Sequence, residues 1–245
     1  MSEITKRATK TKSTKKLTKK IKLILMLLIL LVLLLYMVVS IIYNKGNFSI
    51  TLDDNLYYKK GLIIYDDPDY KVYRSELYAP APETFDNISY KWLPDNITQP
   101  DGSHNGDNYL AYSFYIENTG KLKADYWTEL IISDVIKNVD EAVRIRIYKN
   151  DQFVTYAKAK KDGTPEKDTT PFESNERIAF DHVEDFEPGA KIKYTIVLWL
   201  EGSDLECTDN ILGGEFKVEL DFKSEFTEEE GRKQWKKETR SMKIE

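Results

Sequence analysis

The 245-residue chain holds 36 Lys and Arg against 41 Asp and Glu, a formal charge of −5, but residues 1–22 alone carry nine cations and one Glu, leaving −13 on everything that follows. An acidic remainder lacks the clustered cations that a phosphate backbone demands, which excludes a nucleic-acid binder. Its one cysteine, Cys207, excludes an intrachain disulfide, so the folded part must rest on its own core.

Residues 1–22 form a basic tail with Lys6, Arg7, Lys10, Lys12, Lys15, Lys16, Lys19, Lys20 and Lys22. Directly behind it, Leu23 to Tyr43 is apolar and uncharged. At ~1.5 Å rise per residue, such a run spans roughly the ~30 Å of bilayer hydrocarbon and predicts a transmembrane helix. Because positive flanks stay inside, the expected arrangement is a single-pass anchor in the plasma membrane, with a cytoplasmic N-terminus and an exported remainder. A secretory signal has an apolar region of ~7–15 residues closed by a small-x-small cleavage site. Val38-Val39-Ser40-Ile41-Ile42 matches that pattern poorly, which favours an uncleaved anchor over a signal.

Residues 44–223 suffice for one domain. Their dominant period is two, the pattern of strands with one buried face. Phe48, Ile50 and Leu52 alternate with polar residues, as do Leu110, Tyr112, Phe114 and Ile116; Val143, Ile145 and Ile147; and Phe216, Val218, Leu220 and Phe222. Further strands are predicted over Tyr126–Ile132 and Arg177–Phe180. Ile192–Leu200 is nearly apolar on both faces, which predicts a central strand covered on each side. Lys149-Asn150-Asp151-Gln152 reads as a hairpin, and Asn118-Thr119-Gly120 as a turn with Gly120 in the left-handed region. The stretch 65–99, with Pro68, Pro80, Pro82 and Pro94, reads as a long excursion holding at most a short helix, and Lys158–Pro171 as a polar loop.

Six or more short strands with turns between them predict an all-β fold, an antiparallel β-sandwich or jelly roll, behind one N-terminal transmembrane helix. Residues 224–245 form a short charged tail, Glu in front and Lys/Arg behind, compatible with a helix or a frayed end.

A search for catalytic groups is mostly negative. Only His104 and His182 could supply imidazole, and neither lies in a His-Glu-x-x-His helix. Ser103 lies outside a Gly-x-Ser-x-Gly elbow, and Cys207 reads as a small loop or core residue. The segment 101–108 stands out. Asp101, Ser103, Asn105 and Asp107 place oxygen-bearing side chains at alternate positions beside Gly106, like the first half of a calcium loop. Position twelve of such a loop is Tyr112 rather than a bidentate Glu, so a polar β-turn is the competing reading. A second acidic loop, Glu201–Asn210, would supply missing ligands if the fold brought the two together.

The block Trp199–Gly214 (WLEGSDLECTDNILGG), followed by an alternating strand, resembles the C-terminal end of exported bacterial β-sandwich proteins of the TasA/camelysin-like group. So does Asp107–Gly120 (DNYLAYSFYIENTG), and the likeness covers about residues 100–222. The resemblance implies a jelly roll at a Gram-positive cell surface or in a biofilm matrix. It also implies envelope or matrix protein partners, or self-assembly by strand exchange through Asn47–Leu52. Camelysin is described as a metalloendopeptidase, but no residue here supplies a recognisable catalytic group. The expected function is a membrane-anchored surface module with a binding, adhesion or assembly role; the alternatives are an anchored metal-dependent hydrolase and a secreted fibre subunit.

Overall fold

The computed structural model describes residues 3–43, 48–82 and 85–225, and the expected helix-or-frayed tail lies outside the described residues from 226 onward. The chain divides into two units, residues 1–45 and 46–245. In the first, α1 runs over Glu3–Tyr43, so helix continues from the apolar run back through the basic tail. Leu and Met are strong helix formers, and no Gly or Pro interrupts the run. Lys19–Val39 is long and apolar enough to cross a membrane, and none of it is covered by protein.

The second unit is mostly strand, arranged in two mixed sheets. One sheet holds β1 (Phe48–Leu52), β3 (Glu76–Ala79), β6 (Ala124–Ile136), β10 (Arg177–Phe186) and β12 (Glu215–Lys223) in the order β10-β6-β12-β1-β3. The other holds β2 (Leu62–Tyr65), β5 (Tyr109–Asn118), β11 (Lys191–Leu200), β7 (Val143–Lys149), β8 (Gln152–Ala157) and β9 (Thr170–Pro171) in the order β2-β5-β11-β7-β8-β9, with β4 (Gly102–Ser103) beside β5. Phe216, Val218, Leu220 and Phe222 of β12 and Phe48, Ile50 and Leu52 of β1 are buried. They join Leu110, Tyr112, Phe114 and Ile116 of β5 and Ile145 of β7 in one apolar cluster fed by both sheets. Burial of alternate residues, at ~25 cal/mol per Å² of apolar surface, is what selects this register.

β11 lies inside its sheet, between β5 and β7, and is covered on both faces, as its composition predicts. Tyr194, Ile196 and Leu198 enter the main cluster. Val197 and Trp199 face the other way, against Ile88 and Ile97 of the proline-bearing excursion.

Several details depart from the sequence reading. The sheets are not wholly antiparallel: β1 runs parallel to β12, and β8 to β9. Nearly the whole domain separates β1 from β12, ample chain for the crossover that a parallel pair needs. β2 and β3, at four residues each, are too short for period two to register. Gly120 is not left-handed. It must be Gly because the Lys60 carbonyl oxygen lies 2.3 Å from where its Cβ would stand. The hairpin at Lys149–Gln152 forms as expected, with Asn150 at φ 54°.

Candidate functional site

The oxygen-rich segment is stretched along β5 instead of coiled. Gly102 faces Ser113 and Gly106 faces Tyr109, four β5 residues or about 13 Å apart at ~3.3 Å per residue. Asp101 and Asp107 lie beyond those two ends, so they cannot share one ion whose ligands sit at ~2.5 Å. Two of its side chains have other partners. Asp101 Oδ1 accepts from the Tyr115 hydroxyl (2.7 Å) and pairs with Lys193 Nζ (2.7 Å). Burial alone would raise its carboxyl, but Lys193 and Tyr115 overcome that and hold it below the usual value. Asn105 donates to the Pro80 carbonyl (2.6 Å) and accepts from the Ala111 amide (2.8 Å). Ser103 is an exposed residue of β4. The segment runs as the short strand β4 beside β5 and then a turn closed by the Gly106–Tyr109 bridge.

The two imidazoles are equally committed. His104 Nδ1 and Nε2 each lie 2.9 Å from a carbonyl oxygen, of Gly102 and Ile97. His182 lies flat on Trp127, with ring centroids 3.6 Å apart.

The Asp101 end of the segment stays apart from the second acidic loop, whereas the Gly106 end bridges Tyr109, which pairs with Trp199. Asp101 bonds Lys193, eight residues along β11 from Glu201, or about 26 Å of strand. Glu201 is buried and fully engaged, accepting from Trp199 Nε1 (3.1 Å), Ser203 Oγ (2.8 Å) and the Tyr90 amide (3.2 Å). Carboxylate oxygens of Glu166, Asp204 and Glu206 lie within 4.8 Å of one another. Their cation is the chain's own: Arg144 donates to Asp204 and lies 3.5 Å from Glu166, while Lys161 is 3.8 Å from Glu206. Burial, then the charges of Asp204, Asp86 and Glu201, push the Cys207 thiol up, which makes it a poor nucleophile.

A cleft of about 580 Å³ is lined from both sheets. From one sheet come Thr128 and Leu130 of β6, Ala179 and Asp181 of β10 and Leu220 of β12. From the other come Ile147 and Lys149 of β7, Val154 and Tyr156 of β8 and Tyr194 of β11. Register explains the lining: Ala179 and Asp181 pair with Leu130 and Thr128, and Ile147 with Val154, so these residues share inward faces. At this edge the side chains do not close the gap. Val154 is 42% exposed and its neighbour Phe153 54%.

The cleft has two unlike ends. Leu130, Ile147, Val154 and Leu220 make an aliphatic end, whereas Lys149, Asp151, Gln152 and Asp181 gather at the hairpin. Lys149 bonds Asp181 across the gap from sheet to sheet. Burial, then the charge of Asp181, pushes the Tyr156 hydroxyl up. No nucleophile paired with a base is present in the lining. Sequence reasoning missed this site because its residues come from six separated strands; the one local signal is Phe153-Val154, two consecutive apolar residues next to a turn.

No family model matches the chain, and no curated protein matches it. Among solved structures, the chain is similar to part of the beta-glucosidase from Kluyveromyces marxianus in complex with glucose, at 11% identity and a TM-score of 0.26, over 69% of this chain and 16% of that one. A likeness that weak carries neither fold nor chemistry across.

Proposed function

We propose that the chain is a membrane-tethered surface protein of the TasA/camelysin-like kind, whose exported β-sandwich has a binding or assembly role and takes its ligand in the cleft beside Phe153. The observation that carries this reading is the cleft itself. Its volume falls within the ~300–1,000 Å³ of small-ligand sites, and its lining offers apolar and charged contacts for a ligand.

The sandwich part is supported by two sheets that feed one buried cluster. The tether is supported by apolar side chains that stand exposed all along Leu23–Val39, a surface that lipid satisfies and water does not. The basic flank favours a cytoplasmic N-terminus. Strand exchange is disfavoured because β1 already pairs with β12 on one side and β3 on the other. Donating it to a neighbour would strip both ladders. That favours a tethered module over a free fibre subunit.

N-terminal sequencing of protein recovered from cells, combined with protease treatment of intact cells, tests the reading. A start at or near Met1 and digestion of the domain from outside are expected. A start near residue 41–47 would replace the tether with a released subunit.

A further inference from the structure

We propose that the cleft beside Phe153 binds a small organic ammonium ion with an apolar body, an inference that rests on the binding role proposed above and adds the chemistry of the ligand. The body lies against Leu130, Ile147, Val154 and Leu220, and the ammonium sits at the hairpin end with Asp151 and Asp181.

The apolar half of the argument comes from those four aliphatic side chains. A free sugar or other polyol pushed against them would lose hydrogen bonds to water without recovering them. A hydrocarbon or aromatic body recovers buried area. Val154 points to the same face as buried residues, yet stays 42% exposed for want of a partner.

The charged half comes from the other end. Lys149 and Asp181 neutralise each other, while Asp151 has no ion-pair partner among the described residues, so the rim carries one negative charge in excess. The Tyr156 hydroxyl, also without a hydrogen-bond partner among the described residues, offers an oxygen to an N–H donor. Lys149 Nζ already lies 5.7 Å from the centre of the Tyr194 ring, a cation–π contact at this end of the cleft. The negative field reaches inward: after burial, the charge of Asp181 helps raise the hydroxyls of Tyr126, Tyr156 and Tyr194. A carboxylate ligand would meet the same field as repulsion.

The test is calorimetric titration of the full chain in phosphatidylglycerol nanodiscs, which bring no amine, with 2-phenylethylamine, 2-phenylethanol and phenylacetate. One saturable site for the amine is expected, with the alcohol and the acid each weaker by about tenfold or more, the scale of one modest charge interaction. Asp181→Asn should weaken the amine by about tenfold and leave the alcohol unchanged. Val154→Trp, which fills the cleft, should abolish binding of all three; Val154→Phe serves the same purpose if the larger residue prevents folding.

Equal or tighter binding of the alcohol or the acid would overturn the ammonium assignment while leaving the cleft as a ligand site. Absence of binding by every probe, or binding untouched by filling the cleft, would overturn both. Repeating the titration in discs that contain phosphatidylethanolamine separates the sources of the amine. Weakened probe binding there names a lipid headgroup, and unchanged binding a free amine.

Discussion

Arg144 donates a hydrogen bond to the Asp204 carboxylate, and the two side chains are only 5% and 0% exposed. The pair fastens β7 to the loop that follows β11, inside the Trp199–Gly214 block. Deleting one member leaves the other charged and dry, at a typical cost of ~3–5 kcal/mol. Glu166, 3.5 Å from the same guanidinium, softens the loss of Asp204. Asp204→Leu should therefore destabilise by about 3 kcal/mol, Arg144→Met by more, and the double variant by less than the sum. Urea denaturation of the four proteins measures the coupling, and strict additivity would deny that the two act as a unit.

Acid should loosen the domain. Burial works against ionised Asp53, Asp101, Glu117, Glu201 and Asp204, yet their hydrogen bonds and cationic partners leave each carboxyl below its ordinary value of 3.8 for Asp or 4.5 for Glu. A carboxyl lowered in the folded state contributes stability above its unfolded value, and that contribution disappears as pH falls through the folded one. Glu219 has the opposite sign: burial, then Asp221 and Glu76, raise its carboxyl, so its protonation on acidification relieves a cost. Glu206, raised by its hydrogen bond with Asp204, has the same sign as Glu219, and the five lowered groups outnumber these two. The melting temperature should hold from pH 7 to about 5 and fall steeply below about 4. A Glu201→Gln, Asp204→Asn variant should start lower and fall less over the same range.

The sequence revealed strands more readily than a site. Period two located β1, β5, β7 and β12, because one buried face forces alternation wherever a strand reaches about five residues. Ile192–Leu200 disclosed its central position because two clusters cover it, one holding Ile196 and the other Trp199. What stayed hidden depends on partners distant in the chain. Leu62–Tyr65 and Glu76–Ala79 are too short to show a period. The parallel ladder of β1 with β12 joins residues about 170 positions apart. The Phe153 cleft forms between strands of the two sheets, a property of both together and of no single segment. Conversely, the alternating oxygens of 101–107 looked like ligands because extended strand and coiled loop share a spacing of two, and only the pairing with β5 separates them.

Asn118 should prove the structural reason for the Asn-Thr-Gly turn. It is fully buried, and its amide donates to the carbonyls of Leu122 (3.0 Å) and Phe186 (2.8 Å) and accepts from the Gly120 amide (2.9 Å). One side chain thus ties the end of β5 to the end of β10. Asn118→Ala removes three bonds and strands buried backbone groups, a loss of about 2–4 kcal/mol. Asn118→Asp places an acceptor where two carbonyls need donors, and should be worse. Equal melting temperatures for the two variants would contradict this arrangement.

Calcium should leave the domain's stability unchanged, and Asp101 should matter for another reason. Its carboxylate spans the Tyr115 hydroxyl and the Lys193 ammonium, which itself bonds the Gln99 and Pro100 carbonyls (both 3.0 Å), so the three residues pin the end of the proline-bearing excursion to β5 and β11. Both partners are partly open to water, so the ion pair contributes no more than ~1 kcal/mol, with the Tyr115 bond adding about as much. Asp101→Ala should lower stability by about 1–2 kcal/mol, equally in millimolar calcium and in chelator. Lys193→Met should have a comparable effect, because it removes the other half of the same contact. The outcome that would restore a calcium loop is a melting temperature that rises with calcium in the unaltered chain and not in Asp101→Ala. Lys193→Met separates the readings further. If Asp101 served a cation from solution, removing its competing ammonium would strengthen calcium binding, whereas a purely structural Asp101 would become an unpaired carboxylate and simply weaken the edge.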